Sequence, residues 1–315
     1  MKIISGTTDF RILQKTAVAI GKFDGIHIGH KLLLTKILEA KKEGLAATVF
    51  TFDPLPAVLF GGGEQKEITT LEEKRRLFEE IGIDYLVEYP LTYETAAIDP
   101  EQYVREFLLE RMNAKRIVAG KDITFGHKGR GNSKLLQQIT QNTDCTVELI
   151  DKIMYNGLEV SSSLIREKIS TGEIEDVNAM LGEPFFISGE IAHGNQIGRT
   201  IGFPTINVIP GKGKVLPPNG VYFSDVYTAG GHYNGITNIG SKPTIQKENV
   251  ITAETFLYHF NGNIYGKTAH ISLLHFVRPE QKFTSLDELK AMIDLNVLQG
   301  QKYFENRAKT KESVK

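Results

Sequence analysis

The hydrophobic pattern of the chain changes character near residue 184. Before that point, short apolar runs alternate with segments in which apolar residues recur every three or four positions. The run Thr16–Ile20 precedes the helical spacing of Lys31–Glu43, and Ala46–Phe52 precedes that of Leu71–Ile81. Further predicted strands are Tyr85–Tyr89, Arg116–Ala119 and Thr146–Ile150, with a helix over Pro100–Met112 and two short helices over 161–182. Repeated strand–helix alternation predicts a parallel sheet covered on both faces, which binds ligands at the carboxyl ends of its strands.

After Pro184 the pattern becomes a series of short β runs separated by Gly, Pro and Asn. The predicted strands are Phe185–Ile191, Thr205–Ile209, Val221–Tyr227, Tyr233–Ile239, Thr252–Phe260 and Thr268–Phe276. Such a series predicts a closed or nearly closed antiparallel barrel. A final helix is predicted over Leu286–Tyr303, capped by Ser285 with Glu288 three residues on.

Two fold types within 315 residues predict two domains. We expect an α/β Rossmann-like domain over 1–183, followed by an antiparallel β-barrel with a C-terminal helix over 184–315. The formal net charge of −1 argues against a broad basic face for nucleic acid. The single cysteine, Cys145, cannot form an internal disulfide, and no apolar run reaches membrane-spanning length. We therefore expect a cytoplasmic protein with no nucleic-acid or membrane partner; the oligomeric state stays open.

The most informative segment is the turn Gly21–His30, which follows a predicted strand and opens a helix. Backbone N–H groups and the helix dipole favour phosphate at such a place. Gly25 and Gly29 allow close approach of a nucleotide, and His27 and His30 share one face of a helical turn. Two imidazoles there can hydrogen-bond a triphosphate. Ordinary surface histidines are the alternative; a metalloprotease-type zinc site is disfavoured because that motif needs His at i and i+4 with a Glu between them.

Three serines and an arginine form a second candidate element at Ser161–Arg166. Serine hydroxyls before a helix are good caps, which is a sufficient structural explanation. Together with Arg166, Ser162 and Ser163 can instead close over the same phosphates as a mobile lid.

A third candidate element, Gly194–Asn207, lies in the barrel half. Its glycines can be simple hairpin turns. Thr205 and Asn207, however, alternate on a strand and therefore point to one face. Two oxygen donors beside nucleotide phosphates suit Mg²⁺, and Arg199 lies close by in the sequence.

In the first half, these segments resemble the FMN adenylyltransferase module of bacterial bifunctional riboflavin kinase/FAD synthetases. The resemblance rests on the histidine turn, on Ser161–Arg166, on Thr51–Pro56 and on Gly120–Gly126. It implies that His27, His30 and Arg166 act on the phosphates of ATP, helped by nucleotide-binding residues Gly21, Phe23, Asp24, Gly25, Gly29, Ser162 and Ser163. Leu55 and Ile123 stand where the family usually shows histidine and phenylalanine.

In the second half, Gly198–Asn207 resembles the signature of riboflavin kinases. Later segments, Gly220–Tyr222, Asn238–Thr244 and Tyr265–Lys267, are also similar. The resemblance implies Glu254 as the catalytic base and Thr205 and Asn207 as ligands of Mg²⁺. The alternative for Glu254 is a solvent-facing position on an alternating strand. It implies nucleotide binding by Gly198, Arg199, Thr200, Gly202, Pro204 and Asn238. Asn263 replaces the usual aspartate, and Ile206 the commoner alanine.

The implied function is phosphorylation of riboflavin to FMN with ATP, followed by adenylylation of FMN to FAD and pyrophosphate. ATP, riboflavin and FMN are then substrates, and Mg²⁺ is a cofactor. An adenylyltransferase whose barrel is a weak or inactive kinase, used for flavin binding or regulation, is the alternative that Asn263 motivates. An RNA-binding protein is a third hypothesis, opposed by the near-neutral charge and the absence of an aromatic–basic stripe.

Overall fold

The computed structural model describes residues 1–61, 66–192, 202–243 and 249–313. The chain divides into two compact units, Met1–Leu164 and Ile165–Lys315. The sequence-based boundary at residue 183 assigns both connecting helices to the first domain, whereas this division places most of their length in the second unit. Within the described ranges, no helix is both long enough and apolar enough to cross a membrane.

The first unit is built on a parallel sheet with the strand order β1-β4-β3-β2-β5-β8. Its strands are β1 (Lys2–Ser5), β2 (Thr16–Ile20), β3 (Ala46–Asp53), β4 (Tyr85–Pro90), β5 (Ala114–Gly120), β6 (Thr124–Phe125), β7 (Gly131–Asn132), β8 (Thr146–Ile150), β9 (Met154–Tyr155) and β10 (Leu158–Glu159). The pairs β6–β7 and β9–β10 are separate antiparallel hairpins. The predicted parallel sheet is confirmed.

Helices cover both faces of this sheet, because alternate residues of each strand point in opposite directions. The helices are α1 (Ile28–Glu39), α2 (Pro56–Phe60), α3 (Leu71–Ile81), α4 (Pro100–Gln102), a π-helix (Tyr103–Arg111) and α5 (Ser133–Thr140), with 3₁₀ turns at Ala40–Glu43, Thr95–Ala97 and His127–Gly129. On β2, Ala17 and Ala19 belong to the core that contains residues of α1 and α3. Val18 and Ile20 belong to the core on the other face, with residues of the π-helix and α5.

Local sequence signals explain two helix starts. Thr70 and Glu73 form a capping box at α3, with each side chain accepting from the backbone N–H of the other residue. At α1 the cap is His27, so this helix begins three residues before the apolar spacing predicts. The helix predicted over Pro100–Met112 becomes a π-helix after Gln102, and the Met112 N–H bonds the carbonyl of Phe107, five residues back.

The second unit contains a closed antiparallel barrel with the strand order β11-β12-β15-β14-β13-β16. Its elements are α6 (Ser162–Thr171, which starts in the first unit), α7 (Ile174–Leu181), β11 (Phe186–Ala192), β12 (Thr205–Val208), β13 (Gly220–Thr228), β14 (Gly231–Pro243), β15 (Asn249–Leu257), β16 (Thr268–Pro279) and α8 (Leu286–Ser313). The predicted barrel and C-terminal helix are confirmed.

Both α7 and α8 pack on the barrel. The Asn178 side-chain amide of α7 donates to the carbonyl of Leu273 at 2.9 Å and accepts the Phe185 N–H at 2.7 Å. Helix α8 contributes Phe304 to a buried cluster with Phe223 and Tyr258 of the barrel half. The connecting helix α7 is therefore a structural part of the second unit.

Candidate active sites

The histidine turn lies between the end of β2 and the start of α1, where sequence analysis places it. The His27 Nδ1 accepts the backbone N–H of His30 at 3.3 Å, and the two imidazoles stack with centroids 3.8 Å apart. The His30 Nδ1 lies 3.3 Å from the carbonyl oxygen of Gly25. These bonds assign the neutral tautomers: His27 carries its proton on Nε2, whereas His30 carries it on Nδ1 and keeps an acceptor lone pair on Nε2.

Burial sets the charge of both imidazoles. It lowers the pKa of His27 to about 4. Burial, followed by the proximity of His27, also holds the pKa of His30 well below its usual range. Both side chains are therefore neutral at pH 7 before an anion binds. A bound phosphate favours the protonated forms and shifts both pKa values upward.

Contacts behind the histidines fix the shape of the turn. The Phe23 side chain is fully buried, and its ring centroid lies 4.9 Å from that of His30. Its backbone has a left-handed conformation, with φ 48°. The buried carboxylate of Asp24 accepts the Ile68 N–H at 2.8 Å. Gly25 has φ 63°, and a Cβ there would lie 2.8 Å from the Ile68 side chain. Phe23 and Asp24, predicted to bind nucleotide, thus have side chains that face the protein interior.

The serine segment contacts this turn directly. The Ser162 hydroxyl donates to the backbone carbonyl of Asp24 at 2.7 Å. Ser161 supplies the helix cap, since its hydroxyl accepts the Leu164 N–H at 3.3 Å. Ser163 is exposed, and Arg166 follows on α6 within the second unit. Ser162 and the histidine turn are thus brought together across more than 130 residues of sequence.

An aromatic cavity of about 630 Å³ opens at the carboxyl ends of neighbouring strands. Phe60 and Tyr93 pack edge to face with centroids 5.9 Å apart, although their side chains are 56% and 72% exposed. The whole lining comprises Lys22, Phe52, Pro56, Phe60, Tyr89, Leu91, Tyr93, Thr95, Ala96, Ala97, Ile98, Tyr103, Thr124, Phe125, Gly126, His127, Lys128 and Gly129. This cavity can hold a flat aromatic molecule. Sequence reasoning singled out the Thr51–Pro56 and Gly120–Gly126 loops but missed Phe60 and Tyr93.

In the barrel, the predicted polar residues form one cross-strand row. Asn207 of β12 lies opposite Glu254 of β15, which in turn lies opposite Asn238 of β14. The Thr205 hydroxyl donates to the Glu254 carboxylate at 2.8 Å. The strand neighbours of Glu254, Ala253 and Thr255, are completely buried, whereas Glu254 is half-buried. One face of the barrel wall thus carries a carboxylate, a hydroxyl and two amides.

Several predicted barrel residues lie outside the described residues, namely Gly198, Arg199 and Thr200. Gly202 is described and has a left-handed φ of 90°, and Pro204 directly precedes β12. Asn263 accepts the Tyr265 N–H at 3.1 Å through its side-chain oxygen. An aspartate side chain can accept the same N–H, so the local hydrogen bond is the same with either residue. This weakens the argument that Asn263 makes the barrel an inactive kinase.

Comparisons with known proteins cover both units. The family model of FAD synthetase matches residues 9–164, and that of riboflavin kinase matches 181–304. The bifunctional riboflavin kinase/FMN adenylyltransferase of Bacillus subtilis is 34% identical over 301 residues, which are 94% of each chain. The Escherichia coli enzyme of the same name is 33% identical over 309 residues, covering 96% of this chain and 98% of its own. A crystal structure from Streptococcus pneumoniae, described as a macrolide-efflux protein, superimposes with a TM-score of 0.85 at 28% identity, covering 95% and 98% of the two chains.

The fold and the two family matches define an enzyme that uses nucleotides in two separate modules. The chain belongs to the family of bifunctional riboflavin kinase/FMN adenylyltransferases. It phosphorylates riboflavin to FMN with ATP and then adenylylates FMN with ATP to give FAD and pyrophosphate. ATP, riboflavin and FMN are its substrates.

Proposed function

We propose that adenylyl transfer takes place at the histidine turn, and the stacked His27–His30 pair at the start of α1 is the observation that carries this assignment. The nucleophile is the phosphate of FMN, which is largely ionised at neutral pH, so no general base is required. A phosphate oxygen attacks the α-phosphorus of ATP while the bond to the bridging oxygen breaks and pyrophosphate leaves. His27 donates a hydrogen bond from Nε2. His30 takes up a proton from solvent at Nε2 as the phosphates bind, and it then donates a hydrogen bond to the departing charge.

The residues around the pair have supporting roles. Phe23 packs against His30, Asp24 ties the turn to Ile68, and Ser162 holds the turn from the opposite side. Gly21, Gly25 and Gly29 keep the backbone free of side chains that would obstruct the nucleotide. Ser163 and Arg166 assist at the phosphates, as the family resemblance implies.

The flavin ring of FMN occupies the aromatic cavity. Its lining is mainly apolar, and the exposed pair Phe60–Tyr93 offers faces for a planar ring. Lumiflavin, which has the ring but no ribityl chain, is then a competitive inhibitor against FMN. Phe60→Ala or Tyr93→Ala raises both the KM for FMN and the inhibition constant of lumiflavin by about tenfold.

Riboflavin phosphorylation takes place on the polar face of the barrel, with Glu254 as the base. The ribityl hydroxyl must lose a proton as it attacks the γ-phosphorus of ATP, and that proton passes to Glu254 while ADP leaves. Thr205 holds the carboxylate in place by donating to it. Nucleotide binding is assigned, as the family resemblance implies, to Gly198, Arg199, Thr200, Gly202, Pro204 and Asn238.

Thr205 and Asn207 hold Mg²⁺ at this face. Both offer oxygen ligands, and the described residues form no cluster of three or more His, Cys, Asp and Glu side chains that would favour another kind of metal. Mg²⁺ usually keeps several waters and shares its remaining ligands with phosphates, so two protein oxygens suit it. When bound, the ion neutralises charge on the transferred phosphoryl group. The near-neutral charge and the single cysteine support a cytoplasmic location and small-molecule ligands rather than nucleic acid or a membrane.

A further inference from the structure

The aromatic cavity carries a cationic rim. Lys22 and Lys128 belong to its lining, whereas the described lining contains no Asp or Glu. Neither lysine side chain forms an ion pair or hydrogen bond with another described residue. Cations beside an apolar cavity with no opposing carboxylate attract anions.

Hydrogen bonds hold the backbone at or next to both lysines. Lys22 comes directly before the Phe23–His30 turn, and its carbonyl accepts the Thr51 hydroxyl at 3.1 Å. Lys22 thus lies where the cavity meets the turn that binds ATP. Lys128 has a left-handed φ of 54°, which is uncommon for a residue other than glycine, and the His127 N–H anchors its loop to the carbonyl of Ile98 at 2.7 Å.

The two flavin substrates of this chain differ only at the end of the ribityl chain. Riboflavin ends in a hydroxyl, whereas FMN ends in a phosphate that carries nearly two negative charges. Their rings are identical, so an aromatic cavity alone cannot distinguish them. Discrimination at the adenylyltransferase site needs groups that recognise the phosphate.

We propose that Lys22 and Lys128 bind the phosphate of FMN and thereby select phosphorylated flavin over riboflavin at the adenylyltransferase site. This inference rests on the proposed location of the flavin ring in the aromatic cavity. The ring then occupies the apolar body of the cavity, while the phosphate lies at the rim next to the turn where ATP is attacked. Electrostatic recognition of this kind weakens as ionic strength rises.

The test uses the full-length chain and initial rates of FAD formation from FMN at saturating Mg-ATP. Lys22→Met and Lys128→Met each raise the KM for FMN by about tenfold, because a charge-assisted contact to phosphate is lost. The inhibition constant of lumiflavin stays unchanged, since lumiflavin has no phosphate. Lys22→Arg retains most of the affinity for FMN. Lys42→Met, at an exposed lysine on the 3₁₀ turn after α1, serves as the matched control.

The double variant Lys22→Met/Lys128→Met also loses most of the rise in KM for FMN that added KCl produces in the wild type. An unchanged KM for FMN in the double variant overturns the proposal. A rise in the KM for ATP alone also overturns it, because the lysines then bind the nucleotide. Phe60→Ala distinguishes a failure of the ring location from a failure of the lysine assignment. If Phe60→Ala changes neither the KM for FMN nor the inhibition constant of lumiflavin, the location of the ring is refuted. If Phe60→Ala changes both but the lysine variants change neither, only the lysine assignment is refuted.

Discussion

The two units use the same cosubstrate, ATP, but the two proposed sites carry different side chains. The first offers a stacked pair of neutral imidazoles at a helix start, whereas the second offers a half-buried carboxylate held by a threonine hydroxyl. This difference reflects the different nucleophiles of the two reactions. A phosphate is already ionised and needs only alignment and charge stabilisation, whereas a ribityl hydroxyl must be deprotonated. The proposed site in the barrel contains a carboxylate, whereas the proposed reacting groups at the histidine turn contain none. The two reactions require this arrangement.

Glu254→Gln gives the largest expected effect. We expect riboflavin phosphorylation to fall by about 10²- to 10⁴-fold, because the amide cannot accept the hydroxyl proton. FAD formation from added FMN stays at the wild-type rate. The measurement is a chromatographic separation of FMN and FAD after incubation with riboflavin or FMN. Retained phosphorylation in this variant would remove Glu254 from the mechanism.

His30→Ala tests the other site. We expect FAD formation to fall by about 10²- to 10³-fold, as for the loss of a group that stabilises charge in the transition state. FMN formation from riboflavin continues at the wild-type rate and also reports that the barrel is folded. Equal loss of both activities, in protein with a native circular dichroism spectrum, argues against two separate sites.

Ser162→Ala has a smaller expected effect. It removes one hydrogen bond to the backbone of Asp24 and leaves the imidazoles in place. We expect FAD formation to fall about fivefold, since one such bond contributes roughly 1 kcal/mol. Ser162→Thr keeps the hydroxyl and restores most of the activity, while Ser170→Ala, which removes a hydroxyl bonded within α6, serves as the control. A normal rate in Ser162→Ala shows that the turn holds its shape without this contact.

The buried histidines also make the stability of the first unit depend on pH. Unfolded histidine titrates near pH 6.5, whereas the pKa of native His27 is lowered to about 4 and that of His30 well below its usual range. Between these values the unfolded state binds more protons, so the free energy of unfolding decreases as the pH falls from 6.5 toward 4. The slope reaches about 1.4 kcal/mol per pH unit for each histidine. Urea unfolding at several pH values should show a shallower slope for His30→Gln, and identical slopes would contradict buried neutral imidazoles.

The sequence predicts the two folds and the histidine turn well, because each depends on local spacing. Strand–helix alternation, the motif at Gly21–His30 and the alternation of Thr205 with Asn207 are all visible within short segments. Long-range contacts are harder to predict. Nothing in the sequence near Asp24 indicates that its carboxylate accepts the backbone N–H of Ile68. Nothing near Phe60 indicates that Tyr93 packs against it. Both contacts depend on the order of the strands in the sheet, which single-segment patterns do not specify.

The alternative in which the barrel only binds flavin loses support for a similar reason. Asn263 departs from the family pattern in charge, yet its side-chain oxygen keeps the turn bond to Tyr265. The effect of the substitution therefore could not be judged from residue type alone.

The most direct measurement of the central claim, that two independent sites act in sequence, is complementation between two inactive variants. His30→Ala and Glu254→Gln are incubated with riboflavin and Mg-ATP, first separately and then together, and FMN and FAD are separated over time. We predict that His30→Ala alone accumulates FMN, that Glu254→Gln alone forms neither product, and that the mixture forms FAD. A mixture that accumulates FMN but forms no FAD would contradict the account.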